Sequence, residues 1–254
     1  MVFINSKKFF FTIVQTYYKD IGKVLEEPIN GDILIAYQSP TSQSAALSKK
    51  FRTLHIDLSQ TKDEILSHFV KNTRYEIRRA QNKDELELTI TTEPGAQFIA
   101  DFVIFYNQFS AQKGLPPCES EFLEALNSRR LLSLSVIKNK TGDALVFHAH
   151  IVCNGRARLF KSASYFRGVD TKAKALIGRA NRYLQAEEIF YFKEIGLSLY
   201  DFGGISLDEQ SDDLGGIDKF KMSFGGHPVE EYHCFHPISF FGKLAFLFLK
   251  RKWK

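Results

Sequence analysis

Cysteine is scarce in this chain of 254 residues: Cys118, Cys153 and Cys234 are widely spaced and odd in number. No Cys-x-x-Cys pair occurs, which excludes zinc-ribbon and dithiol redox chemistry and leaves three packing residues suited to a reducing compartment. Long hydrophobic runs are missing as well. Nothing approaches the roughly 18 apolar residues of a membrane-crossing helix. The run Phe9 to Val14 behind Lys7-Lys8 is short and lacks a small-residue cleavage site, so no signal peptide is read. The chain contains no Gly-x-Ser-x-Gly motif, and its one Cys beside a His, Cys234 after His233, would point to the opposite face of a strand. Covalent nucleophilic catalysis is therefore not expected. Nor does a Pro/Ser-rich linker divide the chain, whose length suits one large domain or two small ones.

Aromatic rings are abundant, with 24 Phe, and should dominate the core. The formal charge of +5 is modest, but its distribution is uneven. Basic residues cluster at Arg74 to Arg79, at Arg156 to Arg182 and at Lys250 to Lys254, against one acidic loop at Asp208, Glu209, Asp212 and Asp213. Anionic partners such as a diphosphate, a cofactor or a lipid headgroup surface fit this pattern, as do solvated faces.

Short β-type runs at 32–37 and 53–58, separated by a polar loop, predict an N-terminal strand pair. Thr61-Lys62-Asp63-Glu64 and Thr73-Arg74-Tyr75-Glu76 each read as a capping box and predict two successive short helices. Residues 87–91 alternate like a strand. Phe98, Phe102, Phe105, Tyr106 and Phe109 form the core stripe of an amphipathic helix. A short helix at 121–127, strands at 132–137, 144–152 and 158–165, a long helix at 173–195, a strand at 197–202, a helix at 217–224 and a strand at 229–235 complete the order. Asn154-Gly155 predicts a type I′ hairpin.

Leu199-Tyr200-Asp201-Phe202-Gly203-Gly204-Ile205 is followed by Asp218-Lys219-Phe220-Lys221-Met222-Ser223-Phe224-Gly225-Gly226. A buried strand ending in Asp and a Gly pair, then a basic helix closed by a second Gly pair, places free backbone and opposite charges at one end of a sheet. With Thr73-Arg74-Tyr75-Glu76-Ile77-Arg78-Arg79-Ala80, these segments resemble the FemAB-like branch of the GNAT N-acyltransferases across residues 51–238. The resemblance implies an α/β (α+β) GNAT fold, a mixed, mostly antiparallel twisted sheet flanked by helices. It also implies an enzyme that moves an acyl or aminoacyl group to an amine of a cell-envelope or surface-polysaccharide precursor. Residues 1–60 would supply strands completing the domain, 61–238 the domain, and 239–254 a basic amphipathic tail.

N-acyl transfer needs an amine held against a carbonyl, a route for its proton and donors for the oxyanion. On the long helix, Glu187 is expected among Leu176, Ala180, Tyr183, Leu184, Phe190 and Tyr191, as a base raised by burial or as a satisfied core carboxylate. His148 and His150 share one face of their strand and are expected on the substrate side or on an outer polar surface, His148 as the alternative to Glu187 for taking the amine's proton and His150 as a substrate contact. No evident third ligand accompanies them, so no metal is expected. Arg74 and Arg78, four apart, can converge on an anion, and with Arg79 are candidates for acceptor phosphate. Asp201 is a ligand for a substrate amine or a brace for the Gly203-Gly204 turn. The resemblance places Lys221 near the transferred carbonyl.

The phosphate loop of acyl-CoA enzymes of this fold, Gln/Arg-x-x-Gly-x-Gly/Ala, is not completed by Arg167-Gly168 or by Gly178-Arg179. Arg167, Gly168 and Arg179 remain the cofactor-side candidates, and the donor is either acyl-CoA or aminoacyl-tRNA. Aromatics in core stripes rather than on a basic sheet leave DNA and RNA out as binding partners, with tRNA entering as donor only. The tail 240–254, apolar and then basic, suits either a terminal helix docked on the domain or peripheral contact with an anionic membrane, the acceptor being a small anion or lipid-linked. A cytoplasmic protein, free or at the inner membrane face, is the expected setting. A non-catalytic anion- or membrane-binding module on a degenerate GNAT fold is the alternative.

Overall fold

The computed structural model describes residues 3–8, 10–165, 168, 170–206 and 215–252. The elements run β1 (Ile4–Lys8), β2 (Phe11–Tyr17), α1 (Ile21–Leu25), β3 (Ile33–Ser39), β4 (Leu47–Asp57), α2 (Lys62–His68), α3 (Lys71–Lys83), β5 (Glu87–Thr91) and α4 (Ala96–Lys113). They continue with α5 (Ser120–Asn127), β6 (Leu132–Lys138), β7 (Ala144–Cys153), β8 (Arg156–Ser164), α6 (Thr171–Glu194), β9 (Leu199–Gly204), α7 (Gly216–Met222), β10 (His227–Pro237) and α8 (Phe240–Lys252). The chain packs as two units. Unit 1 holds Met1–Thr53, Gly204–Glu209 and Pro228–Lys254; unit 2 holds Leu54–Gly203 and Gln210–His227.

In unit 1 the strand order includes β1-β2-β3-β10. β1 and β2 form an antiparallel hairpin, β2 and β3 run parallel, and β10 returns antiparallel to β3 with Cys234 opposite Ala36. The sequence predicts a pair between 32–37 and 53–58, but the partners of β3 are β2 and β10. A local hydrophobic pattern marks a strand without naming its neighbour, and β10 arrives from almost two hundred residues away. Val14, Ile21, Val24, Leu34, Ala36 and Cys234 make the core of this unit.

Unit 2 contains the order β9-β8-β7-β6-β5. Every neighbouring pair is antiparallel except β8 with β9. This is the mixed, mostly antiparallel sheet flanked by helices that the sequence predicts. Successive side chains of β7 point to opposite faces. Phe147 packs among Phe98, Phe102 and Phe105 of α4, and His148 faces Glu188 of α6. The Phe stripe is core, as its spacing indicates. Asn154 and Gly155 both have positive φ, 52° and 74°, the conformation a type I′ turn requires.

The two predicted capping boxes divide. Thr61 and Glu64 exchange both bonds of a capping box at the start of α2. Thr73 does not cap anything: α3 begins at Lys71, and the Thr73 hydroxyl is buried against Ser223 Oγ at 2.9 Å. A Ser/Thr-x-x-Glu pattern inside a helix serves packing as readily as capping.

Candidate functional site

The parallel pair β8 and β9 sets the geometry in unit 2. Arg156, Ala157 and Arg158 pair with Leu199, Tyr200 and Asp201, and there the ladder ends although β8 continues to Ser164 and β9 to Gly204. On its other edge β8 carries a bulge. Ala149 pairs with Lys161 but His150 with Leu159, so Phe160 is an extra residue. A bulge frees backbone groups from the ladder and re-aims them. The regular ladder thus ends beside a bulge, although Gly203 of β9 still comes close to Leu159 O of β8.

Charged groups gather where the pairing stops. Asp201 is fully buried, accepts from Arg156 Nε at 3.0 Å and from Arg156 Nη2, and accepts the Gly203 N–H at 2.7 Å. Of the two roles open to Asp201, the brace of the Gly203 turn is the one its bonds perform. Gly203 has φ 71°, and a Cβ there would lie 3.0 Å from Leu159 O and 3.8 Å from the Arg158 guanidinium. The glycine is needed for its backbone angle and for that close approach. Lys221, half-buried on α7, feels Asp218, Asp201 and Arg158; burial pushes its pKa down to about 8 against the pull of the two carboxylates. An amine so poised is charged at neutral pH yet gives up its proton far more readily than a surface lysine.

The second Gly pair closes α7. Gly225 (φ 74°) and Gly226 (φ 85°) would place Cβ atoms 2.7 Å from His68 Cβ and 2.5 Å from His55 O. They let two backbones meet, and they border an open depression of about 360 Å³ with Ile56, Asp57, Gln60 and Ile65.

A wholly enclosed polar cluster lies between β7 and α6. Glu188 receives His148 Nδ1 at 2.9 Å, the Ser135 hydroxyl, and Gln185 Nε2 at 3.2 Å, with His150 Nε2 at 3.5 Å. Tyr200 OH meets His150 Nε2 at 3.0 Å and Gln185 Nε2. Burial alone would raise the Glu188 carboxyl, but the imidazoles of His148 and His150 and the bonds from His148 and Ser135 hold it below its ordinary value. Burial drives His150 down to about 4, partly opposed by Glu188, and lifts Tyr200 well above 10 with Glu188 adding to the effect.

Several sequence expectations need correction here. His148 and His150 line neither a cleft nor an outer polar surface; both are fully buried. The carboxylate facing the sheet is Glu188, one position beyond Glu187. The buried face of α6 runs through Ile177, Ala180, Leu184, Glu188 and Phe192, so the predicted stripe is rotated by about one residue. Glu187 is half-buried, its pKa raised by burial with Lys62 opposing and Glu194 adding. Arg179 grips Asp84 in a bidentate pair, Nε to Oδ2 at 2.6 Å and Nη2 to Oδ1 at 3.0 Å, and is spent on joining α6 to the end of α3. Arg74 donates to Ser67 O at 3.0 Å and to Phe69 O, closing the end of α2, whereas Arg78 and Arg79 are exposed. Gly168 is exposed with φ 76°, and Arg167 lies outside the described residues. Sequence reasoning missed Glu188, Arg156 and Arg158; strict alternation along β8 places the two arginines on one face and was available as a signal.

The described start of α6 is capped by a carboxylate. Asp170 caps the helix, its carboxylate accepting from Ala173 N at 2.7 Å. The Ala173 N–H is thereby taken, and the negative charge sits at the positive end of the helix dipole.

No family model matches the sequence, and no curated protein sequence matches it. Solved structures do. The fold is similar to that of FemX, at 12% identity and TM-score 0.63 over 91% of this chain and 83% of the other. It is also similar to the C-terminal domain (DUF2156) of a putative lysylphosphatidylglycerol synthetase from Agrobacterium fabrum, at 12% identity and TM-score 0.56 over 96% and 83%. L-PGS from Bacillus licheniformis gives 11% identity and TM-score 0.56 over 99% and 85%. The fold expected from the FemAB-like GNAT resemblance is the fold these structures share with it.

Proposed function

We propose that the protein is an N-acyltransferase that forms an amide on an amino group of a cell-envelope or surface-polysaccharide precursor. The observation that carries this is the end of the regular β8/β9 ladder, with a bulge at Phe160 and with Lys221 and Arg158 beside the braced Gly203 turn. In the proposed step the acceptor nitrogen attacks the donor carbonyl carbon and a C–N bond forms. The carbonyl oxygen takes the negative charge, faced by the Lys221 ammonium and by backbone N–H groups freed at the bulge. Collapse breaks the bond to the leaving oxygen or sulfur, which takes the proton the amine loses, so no covalent enzyme intermediate is required. Arg78 and Arg79, exposed on α3, are the proposed contacts for acceptor phosphate.

The capped start of α6 favours an aminoacyl ester such as aminoacyl-tRNA over acyl-CoA as donor, because a coenzyme diphosphate has no welcoming helix terminus there. The names of the similar structures, FemX and lysylphosphatidylglycerol synthetase, support the envelope reading without extending to this chain. The test is mass spectrometry of reactions that offer acyl-CoAs or aminoacyl-tRNAs against amine-bearing envelope precursors, with N-blocked precursors as control. A new amide that needs the free amine is expected. Tight binding of precursor with no amide from any donor would instead support the non-catalytic anion-binding module.

A further inference from the structure

We propose that one edge of unit 1, formed by the β1/β2 hairpin tip and the outward face of α8, docks on an anionic lipid surface. Among the described side chains, those of α8 that are buried lie on one side of the helix. Phe246 and Gly242 are buried, and a Cβ on Gly242 would fall 1.9 Å from Asp32 O, so the helix start rests on that backbone. Its other side carries Phe240, Phe241, Leu244 and Leu247, which are 71%, 67%, 44% and 64% exposed. Scattered exposed apolar residues are ordinary, but four at i, i+1, i+4 and i+7 form a continuous stripe.

A second apolar feature converges on the same place. Phe10, at the hairpin tip, is 98% exposed. Two residues on, Thr12 N–H donates to Asp32 Oδ2 at 2.8 Å and Asp32 N–H returns to Thr12 O at 2.8 Å. Asp32 also accepts at its backbone oxygen from Ile238 N at 2.8 Å and at Oδ1 from the Ser239 hydroxyl, immediately before α8. One residue thus ties the Phe10 tip to the Phe240 end of the helix.

Apart from Asp32, whose carboxylate is held by Thr12 N–H and the Ser239 hydroxyl, the charge of these two segments has one sign. Lys7 and Lys8 precede the tip, Lys243 is exposed on α8, and Lys250, Arg251, Lys252 and Lys254 follow the stripe, while residues 1–19 and 233–254 contain no Asp or Glu. A second copy on this face would set like charges against each other. Apolar rings edged by lysines match a helix lying in the plane of an anionic bilayer. At 1.5 Å per residue, α8 is about 20 Å long, too short to cross one. The inference does not rest on the transferase reading.

Co-sedimentation of the full chain with vesicles tests it, comparing equal parts phosphatidylglycerol and phosphatidylcholine with phosphatidylcholine alone. Wild type should prefer the anionic vesicles by about tenfold or more, with binding weakened by salt. Phe240→Ser/Phe241→Ser/Leu247→Ser should lose about tenfold at unchanged melting temperature, and Phe10→Ser alone about threefold. Should the triple variant fold poorly, Lys250→Gln/Lys252→Gln, which leaves the apolar stripe intact, should still reduce anionic binding several-fold. No wild-type preference for anionic vesicles, variants that bind as well as wild type, or a concentration-dependent dimer dissolved by the triple variant in place of lipid binding would each overturn the proposal.

Discussion

His150 tests the buried cluster through acid stability. Its imidazole is fully enclosed, and burial holds its pKa at about 4 against an ordinary 6.5. A folded value below the unfolded one means that the unfolded chain takes up the proton first. The full stability of the neutral, buried form is therefore present above about pH 6.5 and is lost as pH falls towards 4. At about 1.36 kcal/mol for each pH unit, the gap comes to about 3 kcal/mol. Glu188 acts in the same sense lower down, because its depressed carboxyl contributes stability above about pH 4.5 that is lost as pH falls through its folded value. His150→Gln keeps a polar group beside Tyr200 while removing the titration. Urea unfolding of both proteins between about pH 7 and 4 is the assay, reading the free energy at each pH. Wild type should lose about 3 kcal/mol more than the variant across that range. Parallel pH profiles would refute the claim that a neutral, desolvated His150 governs this window.

Three further outcomes are expected. Arg179→Ala should lower stability by about 2 kcal/mol, matched by Asp84→Ala and not additive with it, since both break one partly buried bidentate pair; loss of donor affinity at full stability would return Arg179 to the cofactor side. Gly226→Ala should cost about 2 kcal/mol or more in thermal or urea unfolding, because φ is 85° and the new methyl would sit 2.5 Å from His55 O. Arg78→Ala/Arg79→Ala should weaken binding of a phosphate-bearing acceptor most at low salt without changing the melting temperature; equal affinity at low salt would reduce both to solvated residues.

Local chemistry made much of unit 2 legible. The Phe stripe of α4, the Asn154-Gly155 turn, the Thr61 box and the Gly203 and Gly225 turns each depend on a few adjacent residues, and each is where the pattern puts it. Unit 1 was less legible because its pairings are distant: β2 lies beside β3 in parallel, and β10 comes from the far end of the chain. The candidate site residues divide along the same line. Lys221 and Asp201 sit in short motifs that announce them. Glu188 differs from Glu187 by one hundred degrees of helix, an angle within the error of any face drawn from sequence, and the packing of β7 decides between them. Arg179 shows the opposite failure, since a basic residue near a phosphate-loop pattern reads as a ligand until its carboxylate partner, 95 positions away, is in place.

The central claim is that the end of the β8/β9 ladder performs the transfer with Lys221 at the reacting carbonyl. Turnover of Lys221→Met, measured alongside its melting temperature and acceptor affinity, tests it most directly. The account predicts a fall in turnover of about a hundredfold or more with the fold intact and acceptor affinity nearly unchanged, the pattern of a contact made only in the transition state. Wild-type turnover in the folded variant would contradict it.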